Sequence, residues 1–274
     1  MTVDTRVFLG ISNQMPLPGI IQSTALLQAG ARFGSKGTHT TRTSMQKELS
    51  DALRGLPSSA QREDFKRAIV DDNVLGKSTM SNRILSNQRL GELYGLDPSV
   101  LLYRVLRHLW DADPQGRQQV AHLCALARDP LLRATAEYVI PLRVGGECIR
   151  NEFTTTLREA VDVRMNDNTL DKVARNSGAA WSVSGHLKGR VRKIRQTVAP
   201  TVGGVAYALW IGSLEGRVGD ELFTSFWMST FDAPISELHA ITLRAKQMNL
   251  IRAAIGGGVV QVDANRLLEA TLQS

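Results

Sequence analysis

Cysteine is scarce in this chain: Cys124 and Cys148 are the only two among 274 residues. A disulfide framework has nothing to rest on, and a reducing compartment is the default. Long apolar runs are also lacking. Every apolar stretch is interrupted well short of the roughly 20 residues a membrane span needs. The N-terminus holds Asp4 and Arg6 but no apolar core before a small-residue cleavage site, so no signal peptide is read. The cytoplasm is the expected location.

Catalytic signatures are missing too. The chain has no phosphate-binding loop of the GxxxxGK[ST] type, no HExxH, no GxSxG and no dinucleotide glycine fingerprint. Gly256-Gly257-Gly258 has no lysine placed to hold a phosphate and fits a turn. His122 and Cys124 lie two apart, but no second ligand pair has metal-site spacing, so they read as residues of a helix core. Asp162, Asp167 and Asp171 could gather around a nuclease metal, yet their spacing suits a polar turn and a helix cap equally well. The expectation is a protein that is not an enzyme and takes no cofactor.

What is present is ample core-forming material, 43% hydrophobic residues, and a net charge of +7 with an isoelectric point near 9.7. The pattern predicts a mainly α, multi-helix protein with helix-turn-helix-like elements and a small β-hairpin wing near the C-terminus. Three segments are read: an N-terminal arm and poorly placed segment over 1–40, a helical subdomain over 41–144, and a second helical subdomain, with the basic stretch, over 145–274.

Residues 1–21, with Pro16 and Pro18, read as a tail or arm. Short helices follow over 22–32, 44–54 and 58–70, the last starting at the capping-box spacing of Ser58 and Gln61. Asn73 to Lys77 breaks the pattern, and Ser78 or Thr79 caps a helix running to Gly95. Asp97-Pro98, Asp113-Pro114 and Asp129-Pro130 each predict a helix start, since aspartate suits the N-cap and proline the first turn.

A boundary is read at Val144-Gly145-Gly146. Helices are expected over 147–163 and 169–177, then over 202–211, 220–230 and 234–248. Gly-rich 251–262 reads as a hairpin, and an amphipathic helix through Leu267, Leu268 and Leu272 closes the chain. Residues 188–198 fit either an extended wing or a helix.

From Lys172 to Leu214 there is no aspartate or glutamate. Lys172, Arg175, Lys188, Arg190, Arg192, Lys193 and Arg195 fall in that stretch, and their charge equals the net charge of the chain. Such concentration makes a positive field suited to phosphates. Asn176, Ser177, Ser182, Ser184 and His186 can donate to phosphate oxygens. Gly178, Gly185 and Gly189 admit close backbone approach, and Trp181 could stack on bases or sit in the core. A second candidate surface is the helix start at Lys77, Ser78, Thr79, Asn82, Arg83 and Arg89, which follows a helix and a short turn in helix-turn-helix order. The bland alternatives are a solvated basic face and an ordinary helical hairpin.

Several blocks resemble the BrxA family of bacterial BREX phage-defence systems. They are Asn73-Val74-Leu75-Gly76-Lys77-Ser78, Leu90 to Tyr94 with Asp97-Pro98-Ser99, and the run from Leu123 through Asp129-Pro130 to Arg133. Further blocks are Thr169-Leu170, Arg175-Asn176, Trp181, Ser184-Gly185-His186-Leu187, Ala206 to Leu209 and Leu214-Glu215-Gly216. Together they span about Asp72 to Phe223; residues 1–40 match least. Ser177-Gly178 stands where the family pattern has a bulkier apolar residue, so the helix is expected to loosen there.

The resemblance implies a mainly helical, non-catalytic DNA-binding component. Its implied partners are double-stranded DNA and other BREX components, such as a DNA methyltransferase and an ATPase. No membrane and no small-molecule substrate is implied. An RNA-binding or transcription-associated adaptor and a protein-interaction scaffold are the competing readings. The aromatic pattern of one common RNA module is absent.

Overall fold

The structure is a computed structural model that describes residues 17, 19–34, 36–160 and 165–271. Residues 1–16, Pro18 and Ser35, the end of the 147–163 helix and Leu272 therefore lie outside the described residues. The helices are α1 Thr24–Gln28, α2 Gln46–Arg54, α3 Arg62–Lys66, α4 Met80–Tyr94, α5 Leu101–Ala112, α6 Arg117–Arg128, α7 Pro130–Ala134 and α8 Ala136–Val139. After them come α9 Arg150–Ala160, α10 Asp167–Val183, α11 Val202–Leu214, α12 Ile235–Gln247 and α13 Arg266–Thr271. The strands are β1 Glu147–Cys148, β2 Leu187–Lys188, β3 Lys193–Arg195, β4 Arg252–Gly256 and β5 Val259–Asp263. The chain is thus mainly helical, with a small antiparallel hairpin near the C-terminus. Among the described residues no helix is long and apolar enough to cross a membrane.

Helix α11 organises the core. It is apolar on every side, and Val202 to Gly212 are all buried. A helix of that kind must be surrounded; α5, α6 and α12 pack around it. Gly204 permits the approach of α6, because a Cβ there would lie 2.3 Å from Gln119 Oε1.

Only one of the three Asp-Pro pairs caps as expected. Asp129 accepts from the Leu131 and Leu132 amides at the start of α7. Asp113-Pro114 opens a 3-10 turn instead, and its carboxylate accepts from Gly203 N at 2.7 Å, capping α11 from a distance. Asp97 makes a turn, with Ser99 N on its Oδ1, and α5 starts only at Leu101. The 220–230 segment is likewise two 3-10 turns, Gly219–Leu222 and Met228–Thr230, rather than one helix.

Residues of the 22–40 segment pack onto the core. Leu26 is fully buried, and Ser23 Oγ bonds the Leu214 carbonyl. His39 is also fully buried; its Nδ1 and backbone N–H both meet Asp129 Oδ2, at 2.8 and 3.1 Å.

Candidate nucleic-acid interface

Residues 130–195 form a small unit within this frame. In chain order it runs α7 and α8, β1, α9, α10, β2, a tight turn, β3. The sheet order is β1-β3-β2, with both pairings antiparallel. Helix α9 packs on α8 and on α10. A helix pair is thus followed by a short two-strand hairpin, a helix-turn-helix-like order with a hairpin, or wing, at its end. The wing is therefore at 187–195, directly after α10. Residues 147–163 do not start as a helix, because Glu147 and Cys148 pair with Ile194 and Lys193 as strand β1.

Helix α10 is capped by Asn166, whose Oδ1 accepts from Thr169 N at 2.9 Å. It continues past Ser177-Gly178 to Val183 instead of loosening there. Both small residues are buried, and a Cβ on Gly178 would meet the Lys193 side chain at 3.6 Å. Small size at this point lets the wing strand lie close to the helix. Lys193 Nζ then bonds Ser182 Oγ at 2.7 Å and fixes wing to helix.

Strand geometry divides the basic segment in two. Alternate residues of β3 face opposite sides. Lys193 and Arg195 turn toward the helices, and Arg195 shares its side with buried Leu187, its register partner. Lys188, opposite Ile194, turns outward and is exposed.

Burial corrects four expected phosphate donors: Ser177, Ser184, His186 and Arg195. The Arg195 side chain is 0% exposed. It pairs with Asp232 at 2.8 Å and donates to the Val139 and Gln196 carbonyls. Ser184 is buried, its hydroxyl lying 3.0 Å from the Trp181 carbonyl and 2.8 Å from His186 Nδ1. His186 is buried too, with Nε2 donating to the Thr230 carbonyl at 2.9 Å. Burial, followed by the nearby Arg195 charge, pushes its imidazole down to about 3. It stays neutral and cannot serve as a cationic phosphate contact.

Trp181 resolves to the core reading. It is fully buried, donates from Nε1 to Thr135 Oγ1 at 2.7 Å, and stands edge-on to His122 and His186. His122 is itself buried, and burial first, then His186 and His39, hold it well below the usual imidazole range. Asn176 is half-buried and donates to the His39 carbonyl at 2.8 Å, so it ties α10 to the N-terminal segment.

The remaining cations stay at the surface. Lys172, Lys188 and Arg190 are exposed and form no ion pair with any described residue. Arg175 is exposed and 3.2 Å from Asp171, which also pairs with Arg150. Arg192 is exposed and pairs with Glu147 across the sheet, with Nη2 to Oε2 at 2.6 Å. Asn168 is a further candidate, one that the sequence reading leaves out. It is exposed, and its i, i+4, i+7 spacing with Lys172 and Arg175 puts the three on one face of α10. That spacing is visible in the sequence.

The second candidate surface has a different character. Arg62–Asp71, in which α3 passes into a π turn, packs against α4, so the helix-turn-helix order is present. Its cations are occupied, however. Lys77 pairs with Glu48 at 2.9 Å, Arg89 pairs with Glu92 at 2.7 Å, and Arg83 donates to the Val70 carbonyl. Thr79 caps α4 by accepting from Asn82 N. Ser78 and Asn82 are exposed, but so are Val74, Met80 and Ile84, the last two 52% and 53%.

Asp162 lies outside the described residues. Asp167 pairs with Arg158, and among the described residues no three histidine, cysteine or carboxylate side chains gather as a metal site. No family model, no curated protein and no solved structure matches the chain.

Proposed function

We propose that this chain is a non-catalytic protein that binds double-stranded DNA mainly through phosphates. Helix α10 and the adjoining wing provide the contacts. In line with its resemblance to BrxA, it serves as an accessory component of a BREX-type defence system. Methylation and ATP hydrolysis then belong to partner proteins, and this chain alone neither cleaves nor methylates DNA. One observation carries the reading. Lys172, Arg175, Lys188 and Arg190 remain exposed on a helix and hairpin in that helix-turn-helix-like order. Asn168, on the same face of α10, has the amide geometry that pairs with an adenine edge in the major groove.

The test is a salt titration of binding to duplex DNA and to duplex RNA of the same sequence. B-form DNA offers a major groove wide enough for a helix, whereas the RNA major groove is deep and narrow. Preference for DNA with a steep salt dependence supports the reading. Equal or tighter binding to RNA favours the adaptor alternative.

A protein partner is the second reading for the α4 surface. The exposed apolar row of Met80 and Ile84, beside cations already engaged within the chain, suits a protein contact better than a phosphate backbone.

A further inference from the structure

The tip of the wing has an unusual composition for a phosphate contact. Only Arg190, Val191 and Arg192 separate Gly189 from the first residue of β3. Val191 is 92% exposed, the highest value among the large apolar side chains described. Contact with phosphates alone gains nothing from an isopropyl group held in water between two guanidinium groups.

The tip is also narrow. Gly189 has φ +119°, a region that favours glycine, and a Cβ there would sit 1.9 Å from the Arg192 carbonyl oxygen. Wing and helix are held together by the Lys193–Ser182 bond and by Gln196 N donating to the His186 carbonyl at 2.8 Å. These bonds fix where the hairpin leaves the end of α10. Arg192 is anchored at the base by Glu147, whereas Arg190 has no ion pair with any described residue.

We propose that the Arg190-Val191-Arg192 tip enters the DNA minor groove beside the major-groove site of α10 and selects narrow, A·T-rich duplex. The proposal rests on the DNA-binding reading above. A minor groove about 6 Å wide accepts a single hairpin tip and has sugar walls for an apolar side chain to touch. Its negative potential is strongest where A·T runs narrow it, which attracts an arginine. Arg190 supplies the inserted guanidinium, Val191 packs on the deoxyribose wall, and Lys188 meets a flanking phosphate, while Arg192 stays paired with Glu147. Guanosine opposes this insertion, because its exocyclic amino group protrudes into the minor groove.

The experiment compares two duplexes that differ only in that group. One is G·C-rich. The other carries inosine at every guanosine, which removes the minor-groove amino group and leaves the major-groove edges intact. Full-length protein should bind the inosine duplex about fivefold tighter or more at equal salt. Arg190→Lys keeps the charge but is more strongly hydrated and lacks the planar fork. It should lose most of that preference while keeping the salt slope. Lys172→Ala should weaken both duplexes alike. Equal affinity of the wild type for the two duplexes overturns the minor-groove assignment and leaves DNA binding standing. Salt-insensitive or absent binding to both removes the two readings together.

Discussion

Arg195 and Asp232 are bonded 2.8 Å apart where strand β3 meets the segment before α12, with the arginine side chain fully enclosed. Asp232 uses its other oxygen to accept from Val198 N, also at 2.8 Å. The pair closes the inner side of the sheet and removes Arg195 from any surface role. Arg195→Ala leaves Asp232 without its cation and strips the Val139 and Gln196 carbonyls of a donor. Loss of one partner of a buried pair costs about 3–5 kcal/mol; Asp232 is partly exposed, so the lower end is expected. Urea denaturation should record that loss. A variant of unchanged stability would contradict the structural role.

The histidine group around Trp181 makes stability depend on pH. His186 faces Ser184, Thr230, Arg195, His122 and Trp181, and none of these is a carboxylate. Its folded value of about 3 lies below the ordinary 6.5. The unfolded chain therefore binds the extra proton first. The contribution of His186 is full above about pH 6.5 and falls as pH drops toward 3, by up to about 1.4 kcal/mol per pH unit. His122 adds to the effect in the same direction. Chemical denaturation of the wild type between pH 7 and pH 5 should show the decline. His186→Gln should flatten it; an equally steep decline in that variant would assign the effect elsewhere.

Gly189→Ala tests the wing directly. The substitution places a methyl group against the Arg192 carbonyl and forces an unfavourable φ, a strain of about 1–3 kcal/mol. The tip should rearrange while the core stays folded. Circular dichroism should be unchanged and DNA affinity reduced. Full affinity would show that the tip takes no part in binding.

Much of this architecture is legible in the amino-acid sequence. The helical class, the helix capped at Thr79 (one of the two cap candidates), the C-terminal hairpin and the acid-free basic stretch all follow from local pattern. Long-range pairing is not legible there. Arg195 looks like its exposed neighbours until Asp232, 37 residues later, is brought against it. His186 likewise meets its acceptor, the Thr230 carbonyl, only through the fold. Glu147 reads as the start of a helix, because a two-residue strand carries almost no periodic signal. Asp113 shows the same limit, since the helix it caps begins about 90 residues away. Asn168 is different in kind, because its spacing with Lys172 and Arg175 is local and needs no tertiary contact to be seen.

The α4 surface should contribute little to DNA binding, because its cations are already engaged. Lys77→Ala removes a half-exposed ion pair with Glu48 and should change DNA affinity less than twofold, with stability lowered by about 0.5–1 kcal/mol. A large loss of DNA affinity in Lys77→Ala, with folding intact, would return this helix to the interface.

The most direct measurement is the salt dependence of duplex-DNA affinity for the wild type and a set of single alanine variants. Each phosphate contact contributes about −0.9 to the slope of log affinity against log salt. Engagement of Lys172, Arg175, Lys188 and Arg190 should give a wild-type slope of about −3.5, reduced by about one unit in Lys172→Ala and in Arg190→Ala. Slopes that stay at the wild-type value in both variants would contradict the assignment of the interface to α10 and the wing.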